Sequence, residues 1–330
     1  MAPNSLRRAC FHGLRLWNYV APLYWDRARF PDDVFLVVGS GRSGTTWIAD
    51  VIAKATNARI VFEPFLASRK GNFVLAQSLL SRERVARNYP LYIPARAEFD
   101  KERHEAIERI LRGRIRTFWS EMEARPGIFP HRVVKDIRAN LFLGFIAENW
   151  PGVRIILVLR NPYSVISSQL ERIAHRWDFE WDRADVLSQG DLMKDWLLPF
   201  STTIERAHTP VERLANRWCI ETYVGLRHLK GRPTAWVVSY EGLSADPSRW
   251  DNLAEFLSPG CWRRRAFRSA WGCASFTASR PLRKTPERRN DRSLLDNDAK
   301  AAIAQIISEY GLGELVTELV EGSVQRQWDR

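Results

Sequence analysis

Short runs of consecutive apolar residues alternate along this chain with stretches whose apolar positions recur every three or four residues. The runs fall at 34–38 (VFLVV), 59–62, 132–135, 153–159 (VRIILVL) and 234–239, and each predicts a β-strand. Near-continuous apolarity, rather than strict alternation, is expected of parallel strands covered on both faces. Helical spacing lies between the runs: at Thr45–Thr56, at Asn140–Asn149, and in SVISSQLERIA after Pro162. Val211, Leu214, Ala215, Trp218, Cys219, Thr222, Leu226 and Leu229 trace one further helical face, read as core. Strands alternating with helices predict an α/β fold, a doubly wound parallel sheet flanked by helices with right-handed crossovers. Two long intervals interrupt it, Ala67 to Pro130 (charged, helical in pattern) and Arg176 to Pro210 (rich in tryptophan and acid). Such insertions usually supply a substrate pocket or its cover. With no repeat, low-complexity tract or linker, one domain is expected over 1–330: a basic segment 1–31, a core 32–257 and a basic, helical part 258–330.

The first strand runs into VFLVVGSGRSGTTW, Val34 to Trp47. Gly39, Gly41 and Gly44 permit a tight turn, so that backbone N–H groups and a helix N-terminus can converge on one anion. Ser43, Thr45 and Thr46 add hydroxyls. Gly39 and Gly44 have the spacing of a nucleoside-triphosphate loop, but Thr45 stands where that loop has lysine, and the cation is Arg42, inside the turn. The same glycines spell G-x-G-x-x-G, and Glu63 ends the second strand about 20 residues on, as in a dinucleotide fingerprint. The loop alone leaves an oxidoreductase using NAD(P) and a kinase with an altered loop both open.

A second locus follows 153–159. Arg160 ends that strand, Pro162 suits a first helical turn, and Ser168 lies two turns into the helix. Both can face the crevice at the carboxyl ends of parallel strands, where ligands bind. An arginine and a serine there would hold a second phosphate, so the two loci would grip both ends of a bisphosphorylated nucleotide.

GSGRSGTTW and RNPYSVISS together resemble the 5′-phosphosulfate loop and the 3′-phosphate motif of sulfotransferases that use 3′-phosphoadenosine 5′-phosphosulfate (PAPS). VVSYEGLSADP, from Val237, is similar to a further family segment, and the resemblance spans roughly Asp33 to Leu257. It implies a P-loop-like sulfotransferase fold with PAPS as donor and no metal. It implies a cation at Arg42 on the phosphosulfate, Trp47 and Tyr240 near adenine, and Arg160 and Ser168 on the 3′-phosphate. The branch acting on phenols and steroids has a histidine after the lysine of the strand bearing Lys135; this chain has Asp136 and Ile137. Phe62-Glu63-Pro64 resembles the carbohydrate branch, whose glutamate follows the second strand. Glu63 is therefore the first choice to take the acceptor proton, with Asp136 and His131 behind it, while Arg42 and Lys135 stabilise the charge that develops. The acceptor expected is a hydroxyl of a carbohydrate or glycolipid. No equivalent of the family's basic, glycine-containing C-terminal loop is recognised.

Composition changes little. A chain of 330 residues with 45% hydrophobic content can bury one sizeable core. Cys10, Cys219, Cys261 and Cys273 form no CxxC pair, and the six histidines no ligand spacing, so no metal is expected. Of the net charge of +12, 261–292 carries ten Lys/Arg against two acids, and the first thirty residues five arginines against one acid. Without a zinc finger, RNP motif or basic zipper, this charge is not assigned to nucleic acid. Leu14, Leu16, Trp17, Val20, Leu23 and Trp25 can form a short interfacial segment for peripheral membrane contact, although packing on the domain is the preferred reading. No secretory signal or uninterrupted apolar span near 20 residues is read at 1–31. A cytoplasmic location is expected. A basic binding protein without catalysis is the remaining alternative.

Overall fold

The computed structural model describes residues 24–66, 91–96, 100–173, 179, 181–257, 261–271, 294–326 and 328. Most of the N-terminal segment, part of the first insertion and the basic stretch 272–293 therefore lie outside the described residues.

Five apolar runs become the strands β2 (Val34–Val38), β3 (Ala58–Phe62), β5 (His131–Asp136), β6 (Arg154–Leu159) and β7 (Ala235–Ser239), all parallel. A short antiparallel strand, β8 (Gln325–Arg326), closes one edge, giving the order β3-β5-β2-β6-β7-β8. The absence of alternation has the cause anticipated: both faces are covered. On one face Val34, Leu36, Val38, Val134, Ile155 and Leu157 pack with helices α2 (Lys101–Leu111), α3 (Leu143–Asn149), α4 (Pro162–Ile173), α5 (Pro210–Leu229) and α9 (Asn297–Glu309). On the other, Phe35, Val37, Val133, Ile156 and Val238 meet α1 (Thr45–Thr56), α7 (Trp250–Leu257) and α8 (Cys261–Trp271). Beside the sheet, β1 (Tyr24–Asp26) pairs with β4 (Gly127–Phe129), and Asp26 binds Arg59 and Arg132 at 3.0 and 2.7 Å.

Local chemistry sets the helix ends. Gly44 precedes α1 in the left-handed region, at φ 88°, and Asn57 ends it at φ 53°. Thr209 and Glu212 form a reciprocal capping box on α5, with Pro210 at its first turn. The stretch expected as one helix over 140–149 is split: a 3₁₀ turn, Ala139–Phe142, precedes α3.

Strand order bears on the two loci. The chain leaves β2 towards β3 on one side and leaves the adjacent β6 towards β7 on the other, so the switch point lies between β2 and β6. Their carboxyl ends carry the glycine loop and Arg160. In the dinucleotide fold the first two strands of the unit are neighbours. Here β5 separates β3 from β2, so Glu63 stands two strands, about 10 Å, from the axis of the loop strand. That spacing removes Glu63 from a ribose held beside the loop, and the oxidoreductase alternative loses its acid.

Candidate active site

The loop after β2 is a cradle from which side chains are excluded. A Cβ on Gly39 would run into the carbonyl of Val158 on β6, and one on Gly44 into the ring of Tyr240. Gly39, Arg42 and Gly44 take φ of 155°, 77° and 88°, a tight turn in which the Ser43 N–H donates to the Ser40 carbonyl at 3.0 Å. Arg42 is the non-glycine residue in this turn with positive φ, and it is held from two sides. Its Nε donates to Ser168 Oγ at 3.0 Å, and its carbonyl accepts from Arg160 at 2.9 Å. Gln169, the next residue on α4, donates to the Gly41 carbonyl at 2.8 Å. The arginine–serine locus on β6 and α4 therefore abuts the loop within one crevice.

The wall of the crevice is aromatic. Tyr240 opens helix α6 (Tyr240–Ala245), which Ser239 caps by accepting from the Gly242 N–H. Its ring lies 4.5 Å beneath the Arg160 guanidinium and edge-on to Trp47, centroids 5.8 Å apart; Trp47 meets Trp250 at 5.6 Å. The Trp47 indole N–H and the Ser43 hydroxyl are buried without a protein partner. Buried polar groups are ordinarily satisfied, so these two donors beside the turn are available to a ligand.

Beyond the loop, β5 and β3 present charge. Lys135, near the end of β5, holds Glu63 Oε1 at 2.5 Å, and Arg138 holds Oε2 at 3.0 Å. Burial pushes the Glu63 carboxyl up, but the two cations outweigh it and hold the group at about 2. Glu63 has φ 41°, and its N–H donates to the Lys135 carbonyl at 2.6 Å, which turns the side chain back across β5. Asp136 is fully buried and both its oxygens accept backbone N–H groups, from Phe65 at 2.8 Å and Arg138 at 2.7 Å. Burial pushes it up to about 6. It pins the turn after β3 rather than facing the crevice. His131 is at the opposite end of β5, stacked on Phe35 at 5.5 Å and 3.7 Å from Asp33, which removes it as a base for this site.

Beneath the loop, α5 contributes a buried ion pair. Arg217 and Glu221 lie 3.0 Å apart with 2% of each side chain exposed. Glu221 accepts from the Ser40 hydroxyl of the loop, and Arg217 donates to the Phe179 carbonyl and lies 4.8 Å over Trp181. The Phe179 ring packs where a side chain on Gly41 would go.

The sequence pattern of the sulfotransferase family matches residues 34–250, from the loop strand to the helix behind Trp47. The chain belongs to the sulfotransferase family. No curated protein matches it. Among solved structures it is similar to a sulfotransferase from Alicyclobacillus acidocaldarius, at 14% identity and TM-score 0.41, over 87% of this chain and 97% of that one. It is similar to a retinol dehydratase crystallised with androsterone and the inactive cofactor PAP, at 16% identity and TM-score 0.38, over 86% and 82%. The sulfotransferase STF1 of Mycobacterium tuberculosis H37Rv aligns at 14% and TM-score 0.36, over 94% and 81%.

In this sulfotransferase the loop residues 39–47, Arg160, Ser168 and Tyr240 gather in one crevice, with Lys135 on the neighbouring strand β5 and Glu63 just past the end of β3, one strand further. Ser40, Gln169, Arg217, Glu221 and Arg138 also belong there and were missed by sequence reasoning. Arg217 and Glu221 carried a signal: opposite charges four apart, interleaved with an apolar helical face. Arg138 carried one too, a cation two residues past a strand's carboxyl end. Among the described residues no cluster of His, Cys, Asp and Glu could hold a metal ion, and no helix is long and apolar enough to cross a membrane.

Proposed function

We propose that this sulfotransferase takes the sulfuryl group of PAPS and passes it to a hydroxyl of a carbohydrate or glycolipid. The observation that carries the donor is the cradle itself: three positions where a side chain would clash or strain, a buried unpaired Ser43 hydroxyl, and two arginines, Arg42 and Arg160, converging from adjacent strands. That is provision for two phosphate groups. The Trp47 and Tyr240 rings provide an apolar wall for a base, and the unpaired Trp47 N–H a donor towards it. The sugar acceptor rests on the Phe62-Glu63-Pro64 segment.

The residues divide the chemistry. The loop N–H groups, the Thr45 and Thr46 hydroxyls and Arg42 hold the 5′-phosphosulfate, and Arg160 and Ser168 the 3′-phosphate. Glu63 accepts the acceptor's proton as its oxygen attacks sulfur. The bond from sulfur to the 5′-phosphate breaks, its electron pair stays on the phosphate oxygen, and Arg42 and Lys135 stabilise the charge that gathers there.

Thermal melting with adenosine 3′,5′-bisphosphate, NADP and ATP tests the donor. Ligand at a hundredfold over its dissociation constant stabilises by about 2.7 kcal/mol, a midpoint shift of several degrees. The bisphosphate is expected to give this shift; stabilisation by NADP or ATP alone rejects the reading.

A further inference from the structure

We propose that Arg138 is a catalytic cation of this site, which leaves Glu63 on donor binding and takes hold of a non-bridging oxygen of the sulfuryl group in transfer. The inference rests on the PAPS reading above and names a residue outside it.

Three observations lead there. The first is the double occupation of Glu63. Lys135 holds one carboxylate oxygen and Arg138 the other, so a group meant to receive a proton faces a cation at each oxygen. A general base works best with a pKa near the operating pH, whereas these two cations hold Glu63 at about 2. Withdrawal of one of them would let the carboxylate gain proton affinity.

The second observation says which one. Lys135 belongs to β5, its side chain is 3% exposed, and its ammonium lies 4.6 Å over the Phe62 ring. Arg138 lies past the strand's end with 21% of its side chain exposed. Its backbone N–H is fixed to Asp136 Oδ1 at 2.7 Å, and its long side chain reaches Glu63 from beyond the strand. Lys135 would have to leave the core. Arg138 is already at the surface of the site.

The third observation says what surrounds it. The Arg138 charge acts on three buried carboxylates from three elements: Glu63 after β3, Asp136 on β5 and Glu221 on α5. Burial raises Asp136 and Glu221, and Arg138 opposes both rises. Glu221 in turn holds Ser40 of the donor loop. The guanidinium is 3.0 Å from Glu63 Oε2, beside the group that would take the acceptor's proton, and so within reach of the sulfuryl group in transfer. A planar guanidinium with five N–H donors suits a sulfonate as it suits a phosphate.

The exchange links two requirements. As Arg138 moves to the sulfonate, it withdraws charge from the sulfuryl oxygens and restores basicity to Glu63. The acceptor O–S bond then forms, the S–O bond to the 5′-phosphate breaks with its electron pair on the phosphate, and the proton ends on Glu63. Arg138 forms no covalent bond.

The test compares PAPS with adenosine 3′,5′-bisphosphate, which lacks the sulfuryl group, by calorimetry on wild type, Arg138→Ala and Arg138→Lys. Bisphosphate affinity is expected to stay within about threefold while PAPS affinity falls about tenfold, the usual effect of one charge-assisted hydrogen bond. The selective loss should persist in a Glu63→Gln background, where a mere partner of Glu63 would have no further effect. Arg138→Lys, which keeps a positive charge beside Glu63 and Asp136, gives the same comparison if the alanine variant does not fold. An unchanged PAPS-to-bisphosphate ratio in both variants overturns the proposal, as does a loss that vanishes with Glu63→Gln. Failure of the wild type to bind either nucleotide would instead reject the donor reading on which the proposal rests.

Discussion

Arg42 Nε donates to Ser168 Oγ at 3.0 Å, joining the glycine loop to the arginine–serine locus across 126 residues of sequence. The bond holds the Arg42 side chain against α4 while Arg160 holds its carbonyl from β6. Arg160 and Ser168 thus shape the loop as well as facing the crevice themselves. Both variants, Arg160→Ala and Ser168→Ala, are expected to weaken 3′-phosphorylated nucleotides more than their 3′-dephospho analogues. A charged hydrogen bond contributes about 1.5–3 kcal/mol, so the arginine variant should lose roughly 10- to 100-fold in calorimetric affinity. Equal losses for both ligands would mean that the pair acts on the loop alone.

Arg42→Ala separates recognition from rate. Its charge should matter most as the leaving oxygen turns negative, and interactions stronger in the transition state appear in kcat. Turnover is expected to fall further than affinity for adenosine 3′,5′-bisphosphate, read by steady-state kinetics beside calorimetry. Poorer binding with kcat intact would assign Arg42 to the ground state.

Glu63→Gln keeps shape and hydrogen bonding but cannot take a proton. It should fold, bind the bisphosphate nearly normally and lose roughly 10²–10⁴-fold in turnover, the usual contribution of a general base. The variant also has a stability signature. Glu63 is depressed from 4.5 to about 2 in the folded protein, by Lys135 and Arg138 against the upward push of burial. Its ion pairs therefore stabilise the fold fully above about pH 4.5, and the contribution is lost as pH falls through about 2. The melting difference between wild type and variant should narrow over that window and stay constant above it.

Asp136 runs the other way. Burial raises it from 3.8 to about 6, so the folded state holds this proton more tightly than the unfolded chain. Its contribution is fully present below about pH 3.8 and is lost as pH rises through about 6. Asp136→Asn, compared with wild type by urea denaturation between those limits, should lack this decline.

Glu221→Ala should be among the most destabilising substitutions near the site. It leaves Arg217 buried without its carboxylate, and breaking such a pair costs about 3–5 kcal/mol. Arg217→Met with Glu221→Leu removes both charges and should restore much of that in denaturant titration. A single variant as stable as wild type would show that the Phe179 carbonyl satisfies Arg217 without the carboxylate.

The strands and main helices were legible because each carries its own period: VFLVV and VRIILVL have no polar face, and Thr45–Thr56 is reproduced end to end. The loop and Arg160 were legible because glycine and arginine at a strand's end have few other uses. Strand order was not, since nothing local tells β5 to slip between β3 and β2. It was this order that decided the role open to Glu63. The Arg138 clamp and the Arg217–Glu221 floor depend on which helix lies under which strand end, and one-dimensional spacing holds no record of that. Asp136 and His131 were indistinguishable as candidate bases until one was seen capping backbone N–H groups and the other at the far end of its strand.

The wall that Tyr240 gives the loop depends on residues far along the chain. Ser239 donates its N–H to the Val324 carbonyl at 2.8 Å, Arg249 donates to the Gly322 carbonyl, and β8 pairs with β7 directly before Tyr240. On the ribosome, therefore, the glycine turn at 39–44 is synthesised nearly 300 residues before the strand that backs its aromatic wall. Ser168 and Gln169 have to be made before the turn is held and 322–326 before its wall is backed, so affinity for an anion should arrive late, when the last strand joins the sheet's edge.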